Sequence, residues 1–213
     1  FALRAKRQKM KEKKLAFLVP KVGNFDNFTP PLGPLIMAAV LEREGWQVAY
    51  FDSRLDKDAI KKLIDFRPAV AAISVDTPSV LNGKAAAEEI KTVLPETITI
   101  FGGPHANAMP QEILSWSCAD FAAVREGENT LKEFCAWISA NGDSAQLAKI
   151  PNLWHKKNGT PQETFIAPFL EPQELDALPP PAFHLLDMEN IFKNIRHGLF
   201  VKGKRIMPVM GSR

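Results

Sequence analysis

Two textures alternate along the first 140 positions. Short, almost continuous apolar stretches stand at 15–19, 47–51, 70–75, 98–101 and 121–124. Between them, apolar residues recur at three- and four-residue spacing. The first texture is that of strands buried on both faces, the second that of amphipathic helices. Helices are predicted over 35–44, stopped by Gly45, and over 57–66, stopped before Pro68. Further helices are predicted over 83–93 ahead of Pro95, over 110–115, and over 129–139, closed by Asn141-Gly142. The strand starts at 15, 47, 70, 98 and 121 repeat every 23–32 residues, the length of a strand plus a crossover helix. That pattern predicts an α/β fold with a five-stranded parallel sheet, doubly wound and flavodoxin-like in the order 2-1-3-4-5. A Rossmann order is the alternative, because local pattern does not fix strand order.

Past residue 150 the texture changes. Segments 150–154 and 164–166 flank Asn158-Gly159, a pair suited to a type I′ turn, so a C-terminal β-hairpin is expected. Five prolines in 168–181 predict an extended linker. A helical turn is expected at 182–189, and loose loop with a short strand at 205–209 over 190–213. This region shows no core of its own. The boundaries are a basic leader at 1–14, the sheet domain at 15–145, and the hairpin and linker at 146–213.

Composition narrows the class. The chain has 213 residues, 46% hydrophobic and 24% charged, which excludes wholesale disorder, collagen and simple coiled coil. The longest apolar run, 35–41, is far short of the ~20 residues that span a bilayer, so no membrane span is expected. No signal peptide is visible, and two cysteines, Cys118 and Cys135, make no disulfide framework; a reducing cytoplasm is expected. Both read as small buried hydrophobes. Net charge is +3, but residues 1–14 hold seven Lys and Arg against one Glu. The rest carries 20 basic and 23 acidic side chains. A solvated leader is therefore expected, and no nucleic-acid partner. The first residue is not Met, which suggests an excerpt of a longer chain.

Ligands of open parallel sheets bind at the carboxyl ends of the strands. There the sequence places the loop 20–34 after strand 1, Ser74 and Asp76-Thr77-Pro78-Ser79 after strand 3, Gly102-Gly103-Pro104-His105 after strand 4, and Arg125-Glu126-Gly127-Glu128 after strand 5. Glycine, proline and small polar residues gather on this one rim, where glycine lets backbone approach a bulky ligand. Dinucleotide, P-loop, zinc and nucleophile-elbow motifs are absent. His155, beside Lys156-Lys157, is expected to be exposed at the hairpin tip. Trp46, Trp116, Trp137 and Trp154 are expected to pack in the core or between domains.

The run Phe101-Gly-Gly-Pro-His-Ala106, then Pro110-Gln-Glu112, Asp120 and Val124-Arg-Glu-Gly-Glu128, resembles the amino-terminal cobalamin-binding domain of B12-dependent radical SAM enzymes. That family includes anaerobic magnesium-protoporphyrin ester cyclase and many methyltransferases. Pro30-Pro-Leu-Gly33 before the first helix agrees, and Leu175-Asp-Ala-Leu-Pro-Pro-Pro-Ala182 with Leu185-Leu-Asp-Met188 resembles the linker before the radical SAM barrel. Pro208-Val-Met-Gly-Ser-Arg213 resembles the first barrel strand.

The resemblance implies that cobalamin lies across the strand ends with its tail among the loops. Ser74 and Thr77 would bond the tail or the corrin amides, Gly102 and Gly103 would let the tail pass close to the backbone with Pro104 next in the cofactor-binding run, and Glu126, Gly127 and Glu128 would edge the pocket. For each of these, a purely structural role as strand end, tight turn or helix cap is the alternative. Arg125 would pair with a tail phosphate or with Glu126 or Glu128. His105 is read as a cobalt ligand, a pocket contact or a structural loop residue. The loop Val22-Gly-Asn-Phe-Asp-Asn-Phe-Thr-Pro-Pro-Leu-Gly33 departs from the D-x-H-x-x-G pattern of methionine-synthase-type domains, since Asp26 and Gly33 have no histidine between them. A [4Fe–4S] cluster and S-adenosylmethionine would belong to a downstream barrel, so this segment alone would bind and not catalyse. The alternatives are a B12-free docking scaffold of the same architecture, and a flavodoxin-like domain for another phosphate-bearing ligand.

Overall fold

A computed structural model describes residues 12–23, 29–194 and Arg205. Its parallel strands are β1 (Lys14–Val19), β2 (Gln47–Asp52), β3 (Val70–Ser74), β4 (Ile98–Gly102) and β5 (Phe121–Ala123). The crossovers carry α1 (Leu32–Arg43), α2 (Ala59–Phe66), α3 (Val80–Val93), α4 (Pro104–Ala108), α5 (Pro110–Ser115) and α6 (Gly127–Ser139). Then follow α7 (Ser144–Leu147), the hairpin β6 (Leu153–Lys157) and β7 (Thr160–Glu163), α8 (Pro172–Asp176) and α9 (Met188–Asn194). The strand order is β2-β1-β3-β4-β5-β6-β7. The parallel part is thus the expected flavodoxin-like order, and the hairpin extends it by pairing β6 antiparallel to β5.

Alternate strand residues feed two cores, as a sheet covered on both faces requires. Leu15, Phe17, Val70, Ala72, Ile98, Ile100 and Phe121 pack beneath α1 and α6. Ala16, Leu18, Ala71, Ile73, Phe101 and Ala122 pack against Leu63 of α2, Ala87 and Ile90 of α3, and Ile113 of α5. Under α6 an aromatic cluster closes the first core, with the Phe121 and Phe134 rings edge-on at 4.8 Å and Trp137 stacked on Phe134 at 5.8 Å.

Asn158 and Gly159 both take positive φ, 53° and 82°, as the type I′ turn demands. His155 is not at this tip. It sits half-buried in β6 opposite Phe121, and burial pushes its pKa below the ordinary imidazole value. Three further differences concern short elements. The sequence pattern missed α4, five residues begun by Pro104 and too short to show a period. The proline-rich linker contains α8, with Pro172 in its first turn and reciprocal capping by Glu171 and Glu174. The helical turn expected at 182–189 appears as a 3₁₀ turn, Phe183–Leu185, followed by the start of α9, which runs on through 190–194 where loop was expected. Of the strand expected at 205–209 only Arg205 is described; it lies at a bend and its guanidinium donates to Glu189 at 2.8 Å. Most of the basic leader, Asp26 and 206–213 lie outside the described residues. Among the described residues no helix is long and apolar enough to cross a membrane.

The linker returns across α1, where the Ala182 N–H donates to the Leu35 carbonyl at 3.0 Å. At the amino ends of the strands, Asp120 is a structural clamp. Its carboxylate accepts from the Thr99 N–H at 2.9 Å and from the Lys91 ammonium. Asp120→Ala would leave the buried Thr99 N–H and the partly buried Lys91 ammonium short of an acceptor. It is expected to cost about 1–3 kcal/mol in urea unfolding, with Asp120→Asn recovering part.

Candidate functional site

The carboxyl edge of the sheet is knit together by its backbone. The Val75 N–H donates to the Gly102 carbonyl at 2.8 Å, and the His105 N–H donates to the Val75 carbonyl at 3.1 Å. Asp76 then caps a single 3₁₀ turn, Thr77–Ser79, by accepting from the Ser79 N–H at 3.0 Å. This turn sets Thr77 and Pro78 exposed at the lip of the edge. Leu81, in the first turn of α3, is 71% exposed and lies next to it in sequence. Nothing in the helical pattern distinguishes Leu81.

Gly102 and Gly103 differ in what they do. Gly103 has φ +94°, and a Cβ there would lie 2.7 Å from the Val75 carbonyl oxygen. Only glycine fits that crossing without strain. A Cβ on Gly102 would meet nothing within 4 Å. Gly103 therefore serves the fold, while Gly102 keeps space open. That space is a narrow slit of about 40 Å³ between the sheet and helices α1 and α6, lined by Phe17, Pro34, Met37, Ser74, Gly102 and Gly127 among others. Gly127 admits the flexible Met37 side chain, whose sulfur lies 2.6 Å from where its Cβ would be.

Of the expected rim residues, Ser74, Gly102, Gly103 and Gly127 thus meet at one slit, and Pro104 begins α4. His105 is buried just behind, with its Nδ1 3.2 Å from Thr77 Oγ1. Glu126 and Glu128 part company. Glu126 precedes α6 and makes no side-chain cap; its carboxylate accepts from the Leu170 N–H at 2.7 Å. Glu128 is buried in the first turn of α6. Arg125 pairs with neither glutamate. Its guanidinium donates to the Ala167 carbonyl at 3.3 Å and sits 5.1 Å from the Phe169 ring centroid. The linker therefore crosses the end of β5 and takes up the charges that sequence alone assigned to one another.

Sequence reasoning missed a cluster at the end of β2. Arg54 grips Asp52 with two hydrogen bonds, at 2.6 and 2.9 Å, and also donates to the Thr29 carbonyl at 3.3 Å. This buried pair anchors the loop that returns from β1 to α1. Burial and the Asp52 carboxylate push the neighbouring Tyr50 phenol well above its usual pKa. The only local signal was an Asp-x-Arg at a strand end. Cys118 and Cys135 are buried as expected, and burial raises both thiol pKa values. Among the described residues, no group of three His, Cys, Asp or Glu side chains could hold a metal ion. A larger hollow of about 390 Å³ lies between α5 and the hairpin, lined in part by Met109, Glu112, Arg125 and Trp154.

Comparison with known proteins gives this edge a context. Residues 20–135 match the family model of the B12 binding domain. An uncharacterized methyltransferase of Pyrococcus horikoshii is 27% identical over 75% of this chain and 35% of its own length. The cytidylyl-2-hydroxyethylphosphonate methyltransferase of Streptomyces wedmorensis is 25% identical over 87% of this chain and 42% of its own. The chain thus spans less than half the length of these relatives. Two solved structures share the fold. One is the radical S-adenosylmethionine methyltransferase TsrM of Kitasatospora setae with cobalamin and a [4Fe–4S] cluster bound, with TM-score 0.59, 21% identity, and coverage of 72% of this chain and 31% of that one. The other is the cobalamin-dependent S-adenosylmethionine radical enzyme OxsB with aqua-cobalamin bound, with TM-score 0.72, 15% identity, and coverage of 86% and 25%.

The two rim glycines separate in a stability measurement. Gly103→Ala is expected to destabilise by about 1–3 kcal/mol, through its left-handed backbone and the Val75 contact. Gly102→Val, with open space and an ordinary strand backbone, is expected to stay within about 0.5 kcal/mol of the parent in thermal unfolding.

Proposed function

This chain belongs to the B12-binding domain family, and we propose that it holds cobalamin across the carboxyl ends of β1–β5 as one part of a radical S-adenosylmethionine enzyme. The observation that supports this most is the slit beside Gly102, which opens at the strand ends where a bulky ligand can enter between sheet and helices. Its lining is mostly apolar, with Ser74 supplying a hydroxyl, so its chemistry suits a flat aromatic base carried on a polar chain, and at about 40 Å³ it would have to widen, by movement of the flexible Met37 side chain, to admit one.

In this reading Ser74 and Thr77 hydrogen-bond the tail or the corrin amides, and Gly102, Gly103 and Pro104 form the backbone track along which the tail runs. Gly127 and Met37 form the opposite wall. Glu126 and Glu128 border the pocket, and His105 stands behind Thr77. The Glu126 carboxylate also holds the linker at Leu170, so the pocket edge and the linker are tied together. Bound cobalamin supplies a cobalt centre able to carry a methyl group or take up an electron. The protein's share is to bind the corrin, fix its orientation and shield one face.

Residues 15–145 form the cobalamin domain in this assignment, and 146–213 the hairpin and linker toward a radical SAM barrel. That barrel would contribute a [4Fe–4S] cluster and S-adenosylmethionine, and the whole enzyme would carry out radical methyl transfer, or cyclisation or rearrangement, at an unactivated carbon. The lengths of the relatives, and the radical S-adenosylmethionine chemistry named for two proteins of the same fold, support that extension.

Hydroxocobalamin titration, desalting and an absorbance spectrum test the reading. Corrin absorbance is expected to co-elute at about one per chain. Gly102→Val, folded but with the slit blocked, is expected to weaken retention roughly tenfold or more. Failure of both this chain and the full-length protein to retain the cofactor would remove the proposal and leave a scaffold of the same architecture.

A further inference from the structure

One buried polar side chain at the rim is not explained by packing alone. His105 is 6% exposed, its Nδ1 lies 3.2 Å from Thr77 Oγ1, and its Nε2 is buried without a hydrogen-bond partner. The nearest carboxylate oxygen to that nitrogen, Glu112 Oε2, is 3.7 Å away. A buried imidazole with one nitrogen engaged and the other beside an anion has a defined electrical direction.

We propose that His105 is a positioning residue that fixes the direction of the Thr77 hydroxyl, so that Thr77 offers an acceptor to the amide N–H groups on the corrin periphery. The inference rests on the cobalamin reading above. A neutral imidazole carries one ring proton, and the Glu112 carboxylate favours that proton on Nε2. Nδ1 is then a bare acceptor, and the Thr77 hydroxyl donates to it. That hydroxyl has a single proton, so what it turns outward is lone-pair density. Thr77 stands exposed at the lip of the edge, where those lone pairs meet a ligand. A carboxamide brings a donor to them. A carboxylate in its place brings only acceptors and is rejected. His105 touches no cofactor in this arrangement; it acts through Thr77, and it makes the site selective for fully amidated corrinoids over their acid forms.

The experiment has a ligand-free arm and a ligand arm. In the first, protein labelled with ¹⁵N-histidine is observed by NMR at neutral pH, with His105 assigned by the signals lost in His105→Asn. A protonated Nε2 and a bare Nδ1 are expected, with the Nδ1 resonance moving in Thr77→Val. In the second, hydroxocobalamin and its propionamide monocarboxylates are titrated by absorbance. The parent protein is expected to disfavour at least one monocarboxylate about tenfold, the scale of one mispaired hydrogen bond. Thr77→Val and His105→Leu should lose that discrimination. His105→Asn, whose amide reaches the Nδ1 position, should keep it, whereas His105→Gln, which reaches the Nε2 position, should not. A structural role alone would not sort Asn from Gln in this way. A protonated Nδ1, equal binding of amide and acid forms by the parent, or a His105→Asn variant as deficient as His105→Leu would overturn the proposal. A reversed tautomer with cobalamin still retained removes the role of His105 alone. If the tautomer is as expected but neither this chain nor the full-length protein retains hydroxocobalamin, the cobalamin reading falls and the corrin contact with it.

Discussion

A parallel sheet buried on both faces governs where everything else in this molecule sits. With α1 and α6 over one face and α2, α3 and α5 over the other, every crossover returns to the same side, and all five parallel strands end at one edge. The faces are filled by Leu15, Phe17, Ile98 and Phe121 on one side and by Leu18, Ile73 and Phe101 on the other. Polar loops and exposed backbone are left to the strand ends. An open carboxyl edge, the place where sheets of this kind bind ligands, is the consequence of that burial.

Within this edge, rigidity and access are assigned to adjacent residues. Gly103 brings β4 so close to Val75 that the chain can turn directly into α4 and place His105 behind Thr77. Gly102, one residue earlier, leaves its side of the backbone open to the slit. The opposite edge of the sheet has no such division. There Asp120 gathers Thr99 and Lys91 into a clamp, and the demand is stability.

The segment after the hairpin belongs to the same structure. It donates from Leu170 to Glu126, places Phe169 against Arg125, and returns over α1 through Ala182. Each contact joins the linker to an element that borders the proposed pocket. A displacement of the linker would therefore be felt at the end of β5 and at the start of α6, where Gly127 and Met37 form one wall of the slit.

The parallel strands, most of their crossover helices, the I′ hairpin turn and the polar, glycine-rich rim at the strand ends are legible in the sequence, whereas the strand order and the pairing of the hairpin onto β5 are not. Hydrophobic period reports which faces are buried, and Gly, Pro and Asn mark turns through their own backbone preferences. Very short elements such as α4 and α8 escaped it, because five residues do not complete a recognisable period. The division of roles along the rim arises from long-range packing. That packing gave Gly103 to the fold and Gly102 to the slit, turned Arg125 from the glutamates beside it to Phe169, and joined Asp52 and Arg54 to the loop at Thr29. His105 meets Thr77 across 28 positions, and Glu126 meets Leu170 across 44. No local pattern encodes such a pairing; it follows from the way the buried sheet brings distant strand ends side by side.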